Sequence, residues 1–284
     1  MANKIHPTAV IAPGAELGRD VEIGPYCVIG PRVMIGDRTR LGPLVWVDGT
    51  TRIGEDNVVV GQASLGGPPQ DLTYKGEATE LELGDRNTIH EFVTINRGTI
   101  KGGGITRIGS DCLFMACCHV AHDCEIRDRV IMGNEVMLAG HVLVEEQANI
   151  SGGAGSHHFV TIGAFAYVAG MTRLPQDVPP YMIFEGQPGR VRKVNEIGLQ
   201  RGGYSESAIE ELRTAFRRIY RSGLPRSQTL RDLKQELPGS PLVAHLIRSL
   251  ENSDRGTKGR YRESLRDEFA RRGAERIPIE ARSS

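Results

Sequence analysis

The sequence predicts a mainly β chain, a parallel β-helix of six-residue repeats, followed by a small α-helical C-terminal domain. Three observations carry this. Aliphatic residues recur every six positions over most of the chain. Glycine is abundant, at 35 residues, while aromatic residues make up only 5%. After about Gly189 the six-residue phase stops and helical signals replace it. A period of six fits neither the 3.6 of a helix nor long alternating strands, but it suits short strands joined by sharp corners.

The repeat runs through Ile5, Ile11, Leu17, Ile23, Ile29, Ile35, Leu41, Val47, Ile53 and Val59, and glycine follows six of these ten residues. It survives the glycine- and proline-rich stretch after Gly61 and returns at Leu83, Ile89 and Ile95. The segment "NRGTIKGGGITR", residues 96–107, shifts the phase by one, as an insertion loop would. Ile108, Phe114, Val120, Ile126, Met132, Leu138, Val144 and Ile150 then resume it, with Ile162, Val168 and Leu174 after. The residue two before the aliphatic tends to be small or β-branched, as at Ala9, Ala15, Val21, Val33, Thr39, Val45, Val130, Val136 and Val142, which suits a narrow interior. Residues 1–188 are assigned to this coil.

Cys27, Cys112, Cys118 and Cys124 occupy that small interior position and read as small hydrophobes. Cys117 falls outside the pattern and is expected at the surface. In "CCHVAHDC", His119 and His122 stand one before and two after interior Val120, so neither is forced inward. They are free to reach an outer surface or a subunit boundary.

Residues 189–256 are read as the helical domain. Ser207 with Glu210 suggests a capping box, and Ile209, Leu212, Phe216, Ile219 and Tyr220 form an apolar stripe ending near Gly223. A second helix is predicted through Leu230, Leu233 and Leu237, and a third through Val243, Ile247 and Leu250. Residues 257–284 are highly charged and read as a solvated, partly helical tail that is in part disordered.

Lysine plus arginine equals aspartate plus glutamate at 35 each, which gives no general polyanion-binding character and no call for a nucleic-acid partner. No leader and no bilayer-length apolar run is found, so a cytoplasmic chain without stable membrane insertion is expected. Five cysteines at no secretory spacing are expected to be reduced. The charge is uneven: from Gly189 onward 21 basic residues face 13 acidic ones. Such an appendage would steer an acidic partner, with Arg213, Arg217 and Arg221 as the natural contributors.

Beyond the repeat, "PPQDLTYKGE" (68–77), "TINRGTIKGGG" (94–104), "HVAHDC" (119–124), "LAGHV" (138–142), "QDVPPY" (176–181) and "NEIGLQRGGYS" (195–205) form an ordered set. Over about residues 1–256 the chain resembles the acyl-(acyl-carrier-protein)–UDP-N-acetylglucosamine O-acyltransferases. The resemblance implies a left-handed coil and a homotrimer with active sites at subunit boundaries. It also implies transfer of a 3-hydroxyacyl chain from acyl carrier protein to the 3-hydroxyl of UDP-N-acetylglucosamine, the first step of lipid A biosynthesis, with no cofactor and no metal.

On that resemblance His122 is the general base, Asp123 orients its imidazole, and the Gly140 backbone N–H stabilises the oxyanion. A sugar hydroxyl is a poor nucleophile near neutral pH, so a histidine base suits the reaction. Gln70, Asp71, His119, His141, His157, His158, Asn195 and Arg201 match substrate-contacting positions. Gly170 matches the acyl-length ruler, although a corner glycine with positive φ would explain it too. Departures from the family pattern are Thr73, Asn96, His158, Ile197 and Gly202, with Lys75, Glu196 and His158 as replacement contacts. Three other readings stay open: the related N-acyltransferase acting on an amino sugar, a zinc-dependent trimeric β-helix carbonic anhydrase using His90, His119 and His122, and a non-catalytic binding protein.

Overall fold

A computed structural model describes residues 2–276. Strands of two to six residues follow one another around a coil with three flat faces. Each strand pairs in parallel with the strand one full turn later: Lys4 opposite Glu22, Val10 opposite Val28, Glu16 opposite Met34. One turn is therefore three hexads. The described residues form sheets of eleven, nine and eight strands, here the first, second and third in the order the chain meets them.

Most corners are made in one way. The residue three before an aliphatic adopts a left-handed backbone, as at Tyr26, Arg38, Asp56, Asp123, His141 and Phe159, all with φ between 56° and 65°. Non-glycine residues pay a small steric penalty there, which the ladder on each side outweighs.

The repeating aliphatics fill the interior, from Ile23 to Leu174, and are essentially inaccessible to water. The small position two before them forms its own columns. Cys27, Cys112, Cys118 and Cys124 are buried as expected, while Cys117 is exposed. Burial pushes the Cys112 and Cys118 thiols up to about 11 and Cys124 to about 12. They are protonated spacers, without thiolate reactivity.

One column turns polar. Asn57 Oδ1 accepts from the backbone N–H of Asn87 at 2.9 Å and from its side-chain amide at 3.0 Å. Asn87 in turn donates to the Gly109 carbonyl at 3.0 Å and accepts from Cys112 N–H at 2.9 Å. These amides close backbone groups where the coil changes spacing.

The spacing changes because two insertions leave the same corner, between the second and third sheets. Val58 pairs with Thr88 and Leu65 with Ile95, thirty residues on rather than eighteen, so residues 68–79 loop out. Thr88 pairs with Leu113, twenty-five residues on, so residues 97–104 loop out as the phase shift predicted. Both loops stand over the corner that carries His122.

The coil does not end at residue 188. Met182–Gly186 joins the first sheet and Gly189–Val194 pairs back on it antiparallel, so helices begin only after Asn195. They are α1 (Glu196–Arg201), α2 (Glu206–Arg221), α3 (Arg226–Glu236), α4 (Pro241–Arg255) and α5 (Arg266–Arg276). α2 is capped by Ser205, which accepts from Ala208 N–H, and not by Ser207, which lies within the helix. Its stripe packs with α3, α4 and the coil end into a second core around Leu212, Leu233 and Leu246. Arg213 is enclosed by Glu196, Glu206 and Glu210, and Arg217 by Glu210, so these two are poor sources of long-range attraction. Among the described residues no helix is long and apolar enough to cross a membrane.

The larger departure is the tail. Residues 261–265 form a single turn and α5 follows, folded back along the coil rather than left in solvent. Residues 277–284 of the expected tail lie outside the described residues.

Asn87→Val keeps the side-chain size but leaves the Gly109 carbonyl and the Cys112 N–H without partners. At about 1–3 kcal/mol for each buried unsatisfied group, a loss of about 3 kcal/mol or more in urea unfolding is expected. A loss below about 1 kcal/mol would mean that the ladder is not structural.

Candidate active site

Successive corners between the second and third sheets stack into one column, and that column gathers the candidate chemistry. The corners are residues 121–124, 139–142 and 157–160, with both insertion loops above them. The corner geometry fixes Asp123 with φ 62°, its backbone N–H donating to Thr106 Oγ1 at 2.8 Å. Thr99, at the base of the second insertion, donates its N–H to Asp123 Oδ1 at 2.7 Å and its hydroxyl to Oδ2 at 2.6 Å. His122 Nδ1 lies 2.7 Å from Oδ2.

A carboxylate here can only accept, so Nδ1 carries a proton, and in the neutral imidazole the lone pair is then on Nε2. That is the tautomer a general base needs. Two glycines make room for the pair: a methyl group at Gly140 would come 2.6 Å from His122 Cε1, and one at Gly102 would collide with the Asp123 carboxylate. Both side chains are nearly buried.

Before them lies a cleft of about 640 Å³, lined by Gln70, Asp71, Thr73, Lys101, His122, His141, His157, His158, Phe159 and Arg266, among others. His141 stacks face to face on Phe159, rings 4.2 Å apart, and meets His122 edge-on at 5.1 Å. Burial, reinforced by the positive character of His122, His158, Arg262 and Arg266, pushes its pKa down to about 3. His141 is therefore neutral at working pH. Burial also lowers the pKa of His158, with His157 and His122 adding to it. Burial raises the Asp71 carboxyl, but bonds from Thr73 and Lys101 outweigh it and hold the group at about 2.

Several residues singled out from the sequence are not brought to this cleft. His119 stands on the second sheet, its Nδ1 2.7 Å from Thr94 Oγ1. Gly170 belongs to a corner between the first and second sheets. Its φ is not left-handed, which removes the corner-glycine explanation; Met171 takes that conformation instead. Asn195 caps α1 by accepting from Gly198 N–H and donates to the Phe165 carbonyl, while Arg201 is exposed at the far end of α1.

Of the replacement contacts, His158 lines the cleft. Glu196 is held by Arg213 and Lys75 reaches the Leu72 carbonyl. Gly202 packs against Phe165 so closely that a side chain there would collide with the ring. His90 pairs with Glu91, and the ligand-type cluster among the described residues is His122, Asp123 and His141, not the carbonic anhydrase set.

Sequence reasoning missed Thr99, Gly102, Lys101, Phe159 and Arg266. The phase slip at residues 96–107 was the available signal for the first three. Nothing local in the sequence placed Arg266 here.

Comparison with known proteins bears on what this column does. Residues 14–49 match the bacterial transferase hexapeptide repeat, and residues 177–258 match the family described as UDP-N-acetylglucosamine O-acyltransferase, domain 2. The acyl-(acyl-carrier-protein)–UDP-N-acetylglucosamine O-acyltransferase of Anaeromyxobacter sp. (strain K) is 44% identical over 252 residues, covering 89% of this chain and 98% of that protein. This chain belongs to that acyltransferase family. The Synechocystis sp. (strain ATCC 27184 / PCC 6803 / Kazusa) enzyme of the same name is 48% identical over 91% of this chain and 94% of its own. The solved structure of LpxA from Acinetobacter baumannii superposes with a TM-score of 0.84 at 42% identity, covering 87% of this chain and 96% of that one. LpxA from Bacteroides fragilis, a UDP-N-acetylglucosamine acyltransferase, gives 0.84 at 38%, with the same coverages. The coil is the left-handed β-helix of this acyltransferase family, closed by its helical domain. The matched helical segment stops at residue 258, so Arg266 and the rest of α5 lie beyond it.

The neutral His141 has a consequence for stability. Between about pH 6.5 and about 3 the unfolded chain binds a proton at this position that the folded protein does not, so stability falls as pH drops through that window. His119 and His158 shift in the same direction. His141→Gln is expected to flatten the fall, read as the urea midpoint at a series of pH values. An unchanged slope would show that His141 protonates freely in the folded state.

Proposed function

We propose that the protein transfers a 3-hydroxyacyl chain from acyl carrier protein to the 3-hydroxyl of UDP-N-acetylglucosamine, the first step of lipid A biosynthesis, with His122 as general base. The observation that carries the base assignment is the 2.7 Å contact of His122 Nδ1 with an Asp123 carboxylate itself held by Thr99. The names of the relatives supply the donor and acceptor classes.

In this reading Nε2 takes the proton of the sugar hydroxyl as its oxygen attacks the thioester carbonyl carbon. The carbonyl electrons move to oxygen, and the Gly140 N–H, at the corner facing the imidazole, donates to that oxyanion. Collapse breaks the carbon–sulfur bond, and the imidazolium returns its proton to the departing thiolate. Asp123 stabilises the imidazolium while it exists and holds the ring in register. His141, neutral and stacked, adds a wall that does not compete for the proton. Lys101 and Arg266 give the cleft cationic character suited to a nucleotide diphosphate.

Gly170 and Arg201 are exposed on other surfaces of the same chain, which fits a site completed by a second copy. The assembly proposed is a homotrimer, in which neighbouring chains bring the acyl-length ruler and the helical domain to the His122 column.

His122→Ala should lower kcat by about 10²–10⁴-fold with the circular dichroism unchanged, because the ring packs against the cleft and not the coil interior. Asp123→Asn should lose less. Turnover in His122→Ala within a few-fold of the parent would sink the base assignment. Offering UDP-N-acetylglucosamine beside its 3-amino analogue, with several hydroxyacyl-carrier lengths, should give the O-acyl product. Preference for the amino sugar would redirect the reading to N-acylation. Light scattering of the pure protein should give three chains per particle, and a monomeric, fully active enzyme would rule out the shared site.

A further inference from the structure

We propose that residues 260–276, beyond the family-matched helical segment, are a built-in positioning strut for the His122–Asp123 pair. They clamp the glycine-rich loop at residues 99–104 against the Asp123 carboxylate. The proposal rests on the acyl-transfer reading only for its kinetic readout.

The strut is fastened along the same corner column that carries the site. Arg260, almost wholly buried, donates to the Pro175 carbonyl at 2.8 Å and pairs with Glu263. Tyr261 N–H donates to Asp177 Oδ2 at 3.0 Å. Arg262 donates to the His141 carbonyl at 3.0 Å, reaches Glu125 at 3.4 Å and lies over the Phe269 ring at 4.9 Å. Arg266 lies 4.5 Å over Phe159, the ring that stacks on His141, and Arg276 pairs with Glu80. A tail held only by solvent would not bury two guanidinium groups; each needs carbonyl and carboxylate partners in place before burial is tolerable.

Between these fastenings α5 lies directly on the loop. Gly273 is buried, and a methyl group there would collide with the Ile100 carbonyl oxygen. Next along, Gly102 sits against the Asp123 carboxylate, and Thr99 makes the two bonds that hold it. Contact thus passes from α5 through Ile100 to Thr99 and Gly102, then to Asp123 and His122. Three consecutive glycines, 102–104, make this loop costly to order, and two of them have positive φ. An external clamp supplies the order that the loop's own sequence does not. Small displacements of catalytic groups are expensive in rate, so the clamp acts on turnover.

The test uses the full-length protein with Gly273→Ala and Gly273→Val, and Arg271→Ala as an exposed control on the same helix. Alanine is the better helix former, so a defect in Gly273→Ala cannot come from a weakened helix. We expect kcat per folded protein to fall about tenfold in Gly273→Ala and further in Gly273→Val. The KM for UDP-N-acetylglucosamine should stay within about twofold, and Arg271→Ala should match the parent. Hydrogen exchange of the peptide spanning residues 97–104, which contains the Thr99 N–H bonded to Asp123, should speed up in both glycine variants while the coil strands keep their protection.

Parental kcat with parental exchange in Gly273→Val would overturn the proposal. So would a rise in KM at unchanged kcat, since the segment would then be only a wall for substrate. If the parent protein itself failed to acylate UDP-N-acetylglucosamine, the functional reading would fall while the exchange measurement still decided the strut.

Discussion

Everything in this molecule depends on the register that sets each strand on the strand one turn away, eighteen residues on wherever no insertion intervenes. A two-residue strand makes too few hydrogen bonds to persist alone. It persists because its carbonyl and amide groups are used on both sides by neighbouring turns, and because its aliphatic residue rests on the same position one turn below. The interior is so narrow that the position two before the aliphatic is mostly small or β-branched, or is an amide that satisfies its surroundings, as Asn57 and Asn87 do, with Leu81 the larger exception. Extra residues can enter only at a corner, where they disturb no ladder.

That constraint explains where the chemistry is. Corners stack as regularly as strands, so one column of corners becomes a fixed vertical array of side chains spaced by the separation of neighbouring strands, about 4.8 Å. His122 with Asp123, Gly140 with His141, and His157 to Phe159 are three rungs of one such column. Both insertions leave from the same column and stand over it. A candidate base, its carboxylate and a candidate oxyanion donor are positioned by backbone that the coil cannot rearrange without losing its core. Two glycines complete the array by what they lack, Gly140 beside the imidazole and Gly102 beside the carboxylate.

The electrostatics follow from the same packing. Histidines set close together in a poorly hydrated cleft cannot all be charged, and His141, pressed between His122, Phe159 and the arginines above it, is shifted furthest towards the neutral form, with His158 moved the same way. His122 is the cleft histidine with a carboxylate within hydrogen-bond distance, Asp123 Oδ2 at 2.7 Å. Asp71 keeps its charge through Thr73 and Lys101, so the cleft presents both signs at fixed places, as recognition of a polar sugar nucleotide requires.

The sequence by itself determined the coil, because a hexad period with a mostly small or β-branched residue two before the aliphatic admits few other solutions. It determined that four cysteines are filler and Cys117 is not, and that helices such as α2 close the chain. His122, Asp123 and Gly140 were legible through family motifs, and the insertion loops through the interrupted period. Only the tertiary structure decided that Asn195 is spent as a helix cap, that Gly170 lies on a different corner from His122, and that residues 189–194 still belong to the sheet. It alone brought Thr99 onto Asp123 and folded residues 260–276 back beside the cleft. The physical reason is range. Period and corner geometry are local and repeat, so they are written in neighbouring residues. The contacts of Arg260, Arg262 and Gly273 join positions 85, 121 and 173 residues apart and carry no periodic mark.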